Sequence, residues 1–152
     1  TIRNNPNIQL AFAIDNYASD ATNEDKAYPQ FIDNVNKCKP DGMWFYHTVN
    51  NTFDVPVNII YDKYDLYLYD AAHDYESQRK AMTYFLPAMA DEFIVCVDDY
   101  DWDEVHKGTF DGLMEAYHNH AYKIEFEEMF VGNDHDNDRW WNGFYIALLK
   151  KK

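Results

Sequence analysis

The sequence predicts an α/β fold built on a mostly parallel sheet. Two short apolar runs, Leu66–Tyr69 and Phe93–Val97, suit strands that are buried on both faces. The segment between them carries apolar residues at helical spacing, so the three parts predict a strand–helix–strand unit with a right-handed crossover. Both runs end in acid, Asp70 after the first and Asp98 with Asp99 after the second. Because ligands bind outside the carboxyl ends of the strands in such sheets, the pattern predicts an acidic site there.

Length and composition limit the number of domains and the kinds of partner that the chain can have. With 152 residues, 47% of them hydrophobic and 18% aromatic, the chain is expected to form a single domain over residues 1–152 with a real core. The formal net charge is −14. Since nucleic-acid binding depends on a basic surface, we expect no nucleic-acid partner and instead a small-molecule substrate and bound cations. The alternative is that the acidity serves solubility alone.

The cysteines and the apolar runs indicate where the protein works. Cys38 and Cys96 form no CxxC pair, which favours a reducing, cytoplasmic location. Cys96 lies in a predicted strand and is expected to be a buried small hydrophobe. No apolar run reaches the length of a membrane span, and we expect no membrane partner and no secretory leader. The chain starts at Thr1 without methionine, so we expect that a preceding segment has been removed.

The first half of the chain predicts two strands around a helix. An irregular lead-in precedes the strand Leu10–Ile14, which ends at Asp15. Pro29 suits the first turn of the following helix. Turn residues then lead into a second strand, Met43–Val49. The segment Val55–Ile60 is either a weak strand or a one-turn helix, and the pattern does not decide between them.

Two further helices are predicted around the acidic strand ends. Asp74 is a suitable N-cap for the helix of the central unit, which is expected to end or distort near Pro87. Asp103 is a suitable N-cap for the next helix, in which Gly108 and Gly112 lower the helix propensity by roughly 1 kcal/mol each. The buried face of that helix is predicted to comprise Val105, Phe110, Leu113, Met114 and Tyr117.

The last part of the chain predicts an antiparallel hairpin. Two strands are predicted, Tyr122–Val131 and Trp140–Leu149. The acidic segment Gly132–Arg139 is predicted to form the turn between them. The run Asp134–Asp138 is expected to be a solvated turn, because the glycine and terminal glutamate of a calcium loop are missing. His118 and His120 lack flanking ligand residues, so we assign them no metal.

Three stretches resemble a known family. The stretches are DLYLYDAAHDYES (residues 65–77), EFIVCVDDYDW (92–102) and the closing WWNGFYIALLKK (140–151). They resemble class I S-adenosylmethionine-dependent methyltransferases. The nearest branch is the small O-methyltransferase-like group with an acidic metal site. The resemblance covers roughly residues 8–150. It implies a Rossmann-like fold, mostly parallel, with a terminal antiparallel strand.

The resemblance also implies a cofactor site. On this mapping the strand before Asp15 corresponds to the second strand of the family fold, and its terminal acid would hold the ribose hydroxyls of S-adenosylmethionine. Asn16 and Tyr17 follow it and are expected to line the same wall.

A metal site is implied in the same way. Asp70, Asp98 and Asp99 match the family's acidic positions for a divalent cation, and such oxygen ligands suit Mg²⁺. The cation would acidify and orient a substrate hydroxyl. His73 stands three residues after Asp70, where related enzymes place a base, and imidazole titrates near neutrality.

One departure from the family is large. The glycine-rich turn after the family's first strand is absent, and the resemblance begins just before the second strand. That first strand lies between the second and the fourth in the family sheet. We therefore expect a fragment, a degenerate domain, or a subunit completed by a partner segment or by a homo-oligomer. The leading function is methyl transfer to a hydroxyl of a small molecule with metal assistance. The alternative is a non-catalytic binding or scaffold domain that has lost cofactor binding.

Overall fold

The computed structural model describes residues 7–17, 24–60, 62–132 and 142–152. The predicted lead-in before Asn7 and the predicted turn at Asp134–Asp138 lie outside the described residues. Strands and helices follow one another in the predicted order. In chain order they are β1 (Leu10–Asp15), α1 (Glu24–Cys38), β2 (Trp44–Val49), β3 (Tyr64–Tyr69), α2 (Tyr75–Tyr84), β4 (Met89–Asp98), α3 (Asp103–Asn119), β5 (Tyr122–Phe130) and β6 (Phe144–Lys151).

The first compact unit, Thr1–Val55, contains a parallel strand pair. β1 and β2 run side by side from Leu10 opposite Trp44 to Asp15 opposite Val49, and α1 connects them. Phe31 of α1 lies with its ring 5.8 Å from that of Phe45 on β2. A strand, a helix and a parallel strand thus form the unit, as the pattern predicts.

Two local predictions in this half of the chain need correction or completion. The helix begins at Glu24, so Pro29 lies inside it rather than in its first turn. Proline lacks the N–H that would bond to the carbonyl four residues earlier, and its ring crowds that carbonyl, yet the helix continues on either side of Pro29. The undecided segment Val55–Ile60 contains a short 3₁₀ turn, Val57–Ile59, which follows another at Thr52–Asp54.

The second unit, Pro56–Lys152, contains a four-stranded sheet. The strand order is β3-β4-β6-β5, in which β3 and β4 are parallel and β6 is antiparallel to both of its neighbours. The predicted parallel unit and the predicted C-terminal hairpin are both present. The antiparallel strand comes last in the chain but lies inside the sheet, between β4 and β5. No helix among the described residues is long and apolar enough to cross a membrane.

The two faces of this sheet differ in burial. Side chains on one face are largely buried, and Val97 and Tyr145 are at most 1% exposed. Helix α2 lies on that side, since the ring of Phe85 at its end is 5.9 Å from the Tyr67 ring. The opposite face carries large apolar side chains that remain exposed. They are Leu66 (49%), Leu68 (58%), Ile94 (37%) and Phe126 (53%).

Helices α2 and α3 pack closely, and this changes two predictions. The buried face of α3 contains Val105 and Leu113, but Phe110 and Tyr117 are exposed. Small residues occupy the contact instead. Gly108 and Gly112 lie against the backbone of α2. The N-cap of α3 is Trp102, without a side-chain hydrogen bond, and Asp103 is the first helical residue.

The described strands form two sheets rather than one. β1 pairs with β2, and β3 pairs with β4; no other described strand pairs with the second edge of β1 or of β3. Cys96 is buried and Cys38 exposed, and both thiols are free.

Candidate functional site

Three potential ligand groups converge at the carboxyl ends of β3 and β4. Asp70 follows β3, Asp99 follows β4, and His73 lies in the turn before α2. One nitrogen or oxygen from each lies within 4.8 Å of the others. Because β3 and β4 are parallel neighbours, both strand ends reach the same edge of the sheet. The structure therefore brings together two of the predicted metal ligands and the predicted base.

The His73 ring has the most informative environment in this cluster. Its Nε2 lies 3.1 Å from Oδ2 of Asp99, with 32% of the imidazole and 17% of the Asp99 side chain exposed. That nitrogen is itself buried, yet no hydrogen bond of acceptable geometry reaches it from the described residues. Trp102 presents its ring edge-on to the imidazole at 4.9 Å. A buried nitrogen that faces a carboxylate without an aligned hydrogen bond fits a cation that both groups would bind.

Asp98 has a different environment from Asp99. Its Oδ1 accepts a hydrogen bond from the backbone N–H of Asp99 at 3.0 Å. Among the described residues, Asp98 does not belong to the group that could hold one ion. Its role as a metal ligand stays a prediction.

Asp99 is held in a strained conformation. Its φ of 53° lies in the left-handed region, which is uncommon outside glycine and clusters at functional sites. Asn142 donates from Nδ2 to Oδ1 of Asp99 at 2.8 Å. Asn142 was not among the residues predicted from the sequence, although the dipeptide Asn142-Gly143 is a typical positive-φ turn and stands immediately before a strand.

The turn that carries His73 is fixed from the helix side. Asp74 accepts a hydrogen bond from the backbone N–H of Ser77 at 3.0 Å, which caps α2 as predicted. This hydrogen bonding lowers the pKa of the Asp74 carboxyl. The buried Gln78 donates from Nε2 to the Ala72 carbonyl at 3.1 Å and accepts from Thr109 Oγ1 at 3.2 Å. His73 is thus positioned by α2 and α3 together.

The predicted cofactor residues lie in the first unit, at the carboxyl end of β1. Asp15 accepts the backbone N–H of Tyr17 at 2.8 Å, and Tyr17 itself has a φ of 55°. Asn16 donates to Oδ1 of Asn51, just after β2, at 2.7 Å. Burial, followed by the negative charge of Asp15, raises the pKa of Tyr17 to about 12, so its phenol is neutral at physiological pH. The turn presents a carboxylate, which is a suitable acceptor for a ribose diol.

Comparisons with known proteins identify the fold. No protein-family model matches the sequence, and no curated protein matches it. The O-methyltransferase TomG from Streptomyces achromogenes, solved in complex with SAM, has a TM-score of 0.58 at 12% identity, over 95% of this chain and 74% of that chain. An O-methyltransferase from Bacillus cereus in complex with SAH has a TM-score of 0.59 at 12% identity, over 94% and 74%. The N-methyltransferase NodS from Bradyrhizobium japonicum has a TM-score of 0.54 at 12% identity, over 95% and 86%.

This likeness shows the fold and no more, because the identities are low. The chain has the Rossmann-like fold of class I methyltransferases, and the fold class predicted from the sequence is confirmed. It corresponds to about three quarters of the length of the two O-methyltransferases.

Proposed function

We propose that this protein transfers a methyl group from S-adenosylmethionine to a hydroxyl of a small molecule with the help of a divalent cation. The observation that carries the proposal is the cluster of Asp70, His73 and Asp99 at the carboxyl ends of two parallel strands. The site of an open α/β sheet is expected at that edge. The solved structures TomG and the Bacillus cereus enzyme are themselves O-methyltransferases, which supports this class of reaction.

The cation would be held by Asp70, Asp99 and the nitrogen of His73. Carboxylate oxygens suit Mg²⁺ and Mn²⁺, whereas an imidazole nitrogen favours transition metals, so this mixed set favours Mn²⁺ over Mg²⁺. When bound, the cation supplies Lewis acidity that lowers the pKa of a substrate hydroxyl. In this assignment His73 is a ligand; in the alternative, drawn from the family, it is the base that removes the hydroxyl proton.

The cofactor would be bound through the end of β1. The Asp15 carboxylate would accept hydrogen bonds from the ribose hydroxyls, with Asn16 and Tyr17 beside it. The hydrogen bond that Asp15 accepts from the backbone N–H of Tyr17 supports this assignment, because it restrains the carboxylate before the ligand arrives.

A thermal-shift experiment tests the cation. Millimolar Mn²⁺ should raise the melting temperature more than Mg²⁺, because an ion that binds only the folded state stabilises it by mass action, by about 2.7 kcal/mol at 100 times its Kd. Asp99→Asn should abolish the rise, and its backbone is preserved because asparagine tolerates positive φ. Asp91→Asn, at an exposed carboxylate near the start of β4, is the matched control and should retain the rise. Asp98→Asn tests the remaining predicted ligand: a retained rise would remove Asp98 from the site.

The role of His73 is decided by the same thermal-shift assay combined with a methyl-transfer assay. His73→Ala should remove the preference for Mn²⁺ if the imidazole is a ligand. An unchanged Mn²⁺ response with lost methyl transfer would instead assign His73 as the base. No response of the wild type to either ion would contradict cation assistance.

Calorimetry with S-adenosylhomocysteine tests the cofactor. We expect binding that weakens by one to two orders of magnitude in Asp15→Asn, which keeps the turn but loses the acceptor charge. Absence of binding to the wild-type chain would favour the alternative, a non-catalytic binding or scaffold domain. Binding that is indifferent to Asp15→Asn would place the ribose elsewhere.

A further inference from the structure

Asn142 reaches the acidic cluster from the far end of the connection between β5 and β6. Its Nδ2 donates to Oδ1 of Asp99 at 2.8 Å, while Oδ2 of the same carboxylate lies 3.1 Å from His73 Nε2. The neutral amide therefore occupies one oxygen of Asp99 and leaves the other facing the cluster. An amide nitrogen is a donor only, so it fixes which oxygen is presented without adding charge.

The backbone around Asn142 is tied to the turn after β4. The Asn142 carbonyl accepts a hydrogen bond from the backbone N–H of Asp101 at 2.8 Å, and the Gly143 carbonyl accepts one from the backbone N–H of Tyr100 at 3.3 Å. Asn142 and Gly143 have φ values of 56° and 82°. A Cβ on Gly143 would lie 2.5 Å from Cγ of Asp101, so the two turns fit together only with glycine there.

Asp101 joins both ends of the β5–β6 connection to this turn. Its Oδ2 accepts from the backbone N–H of Gly132 at 2.6 Å, just after β5, while its own N–H binds Asn142 just before β6. The position of the Asn142 amide is thus fixed by backbone hydrogen bonds that do not involve the cluster. Such an arrangement can orient Asp99 before any ion arrives.

We propose that Asn142 is a positioning residue that orients the Asp99 carboxylate for cation binding; this rests on the cation site proposed above. The Asn142 amide restrains rotation of the Asp99 carboxylate. Without the amide, cation binding must itself fix the carboxylate, and this entropic cost lowers the affinity for the cation. Outer partners of metal ligands typically contribute about 10–100-fold to affinity.

Asn142→Gly isolates the side chain from the backbone. Glycine adopts positive φ readily, so the turn is retained while the amide is deleted. Isothermal titration of the full chain with Mn²⁺ should give a Kd about 10–100-fold weaker than that of the wild type. Asn119→Gly, at the exposed end of α3, is the matched control and should leave the Kd unchanged.

A stability measurement separates positioning from general structural damage. If Asn142 acts through Asp99, Asn142→Gly should weaken Mn²⁺ binding while lowering the melting temperature of the metal-free chain by only about 2–4 °C, the loss expected for one hydrogen bond. A much larger fall in melting temperature would show general damage and would overturn the positioning role. If Asn142→Gly is not folded at room temperature by circular dichroism, the wild type and the variant are both titrated at a lower temperature at which the variant is folded, with the same expected loss.

The outcomes distinguish the two proposals. If the wild type binds Mn²⁺ and Asn142→Gly has a Kd within twofold of the wild-type value, the positioning role is overturned and the cation site stands. A wild-type chain that binds no Mn²⁺ overturns the cation site and the positioning role with it.

Discussion

A Cβ on Gly108 of α3 would lie 2.5 Å from the carbonyl oxygen of Tyr75, the first residue of α2. At this point the two helices are in contact backbone to backbone. The contact lies beside the site, because α2 begins two residues after His73 and α3 begins directly after Trp102. Close packing of these helices therefore fixes the two rings that border the acidic cluster.

Gly108→Ala should destabilise the protein, although alanine is the better helix former. The propensity gain is about 1 kcal/mol, while overpacking against a backbone atom costs about 1–3 kcal/mol and cannot be relieved by a rotamer change. Each net kcal/mol should lower the melting temperature by about 2–4 °C in a chain of this size. Phe110→Ala is the control on the same helix: Phe110 is 55% exposed, so its loss should change stability by no more than about 0.5 kcal/mol. A more stable Gly108→Ala variant would contradict the close contact.

The Asp74 cap should make stability depend on pH in a defined direction. Asp74→Ala should lower the free energy of unfolding at pH 7 by about 0.5–2 kcal/mol, whereas Asp74→Asn keeps a capping oxygen and should lower it less. The pKa of Asp74 is lowered in the folded state, so its charge-dependent contribution is present above the unfolded pKa of about 3.9 and is lost as the pH falls through the folded pKa.

Urea denaturation between pH 7 and pH 3 checks this cap. The small difference between the wild type and Asp74→Asn should be present near neutrality and should shrink as the pH falls below about 3.9. Because the side chain is exposed, solvent screening keeps the difference small. If the difference in the free energy of unfolding between the wild type and Asp74→Asn grows as the pH falls, the ionised Asp74 carboxylate is not the group that caps α2.

Periodicity and capping chemistry predicted the elements of the fold because each depends on local sequence. The strand β3, the cap at Asp74 and the C-terminal hairpin all follow from residues close in the chain. The buried face of α3 was mispredicted for a physical reason. Hydrophobicity selected Phe110, whereas close packing against α2 required small residues such as Gly108.

The sequence predicted only those parts of the candidate site that lie directly at the ends of strands. The acids after β3 and β4 had to share one edge of the sheet once the strands were parallel neighbours. Two features depended on tertiary structure instead. The positive φ of Asp99 gives it an environment unlike that of Asp98, and Asn142 joins the cluster from 43 residues further along the chain.

The exposed face of the four-stranded sheet should cause self-association. Leu66 and Leu68 are 49% and 58% exposed, and contiguous apolar surface of this kind marks an interaction site. Lys150 and Glu92 form an ion pair of 2.7 Å at one end of this face. A symmetric pair of copies would bring the same apolar patch of each chain together. We therefore expect light scattering to give a mass above the 18.1 kDa of one chain.

Charge placed on this face should separate the copies. The double variant Leu66→Lys with Leu68→Lys should be monomeric, because association would bury unpaired ammonium groups. Val131→Lys, at a residue that is 71% exposed just after β5, is the control and should associate like the wild type. Since the chain carries a net charge of −14, added salt should strengthen wild-type association by screening repulsion between copies. A wild-type chain that stays monomeric at high concentration and high salt would show that this face does not bind a second copy.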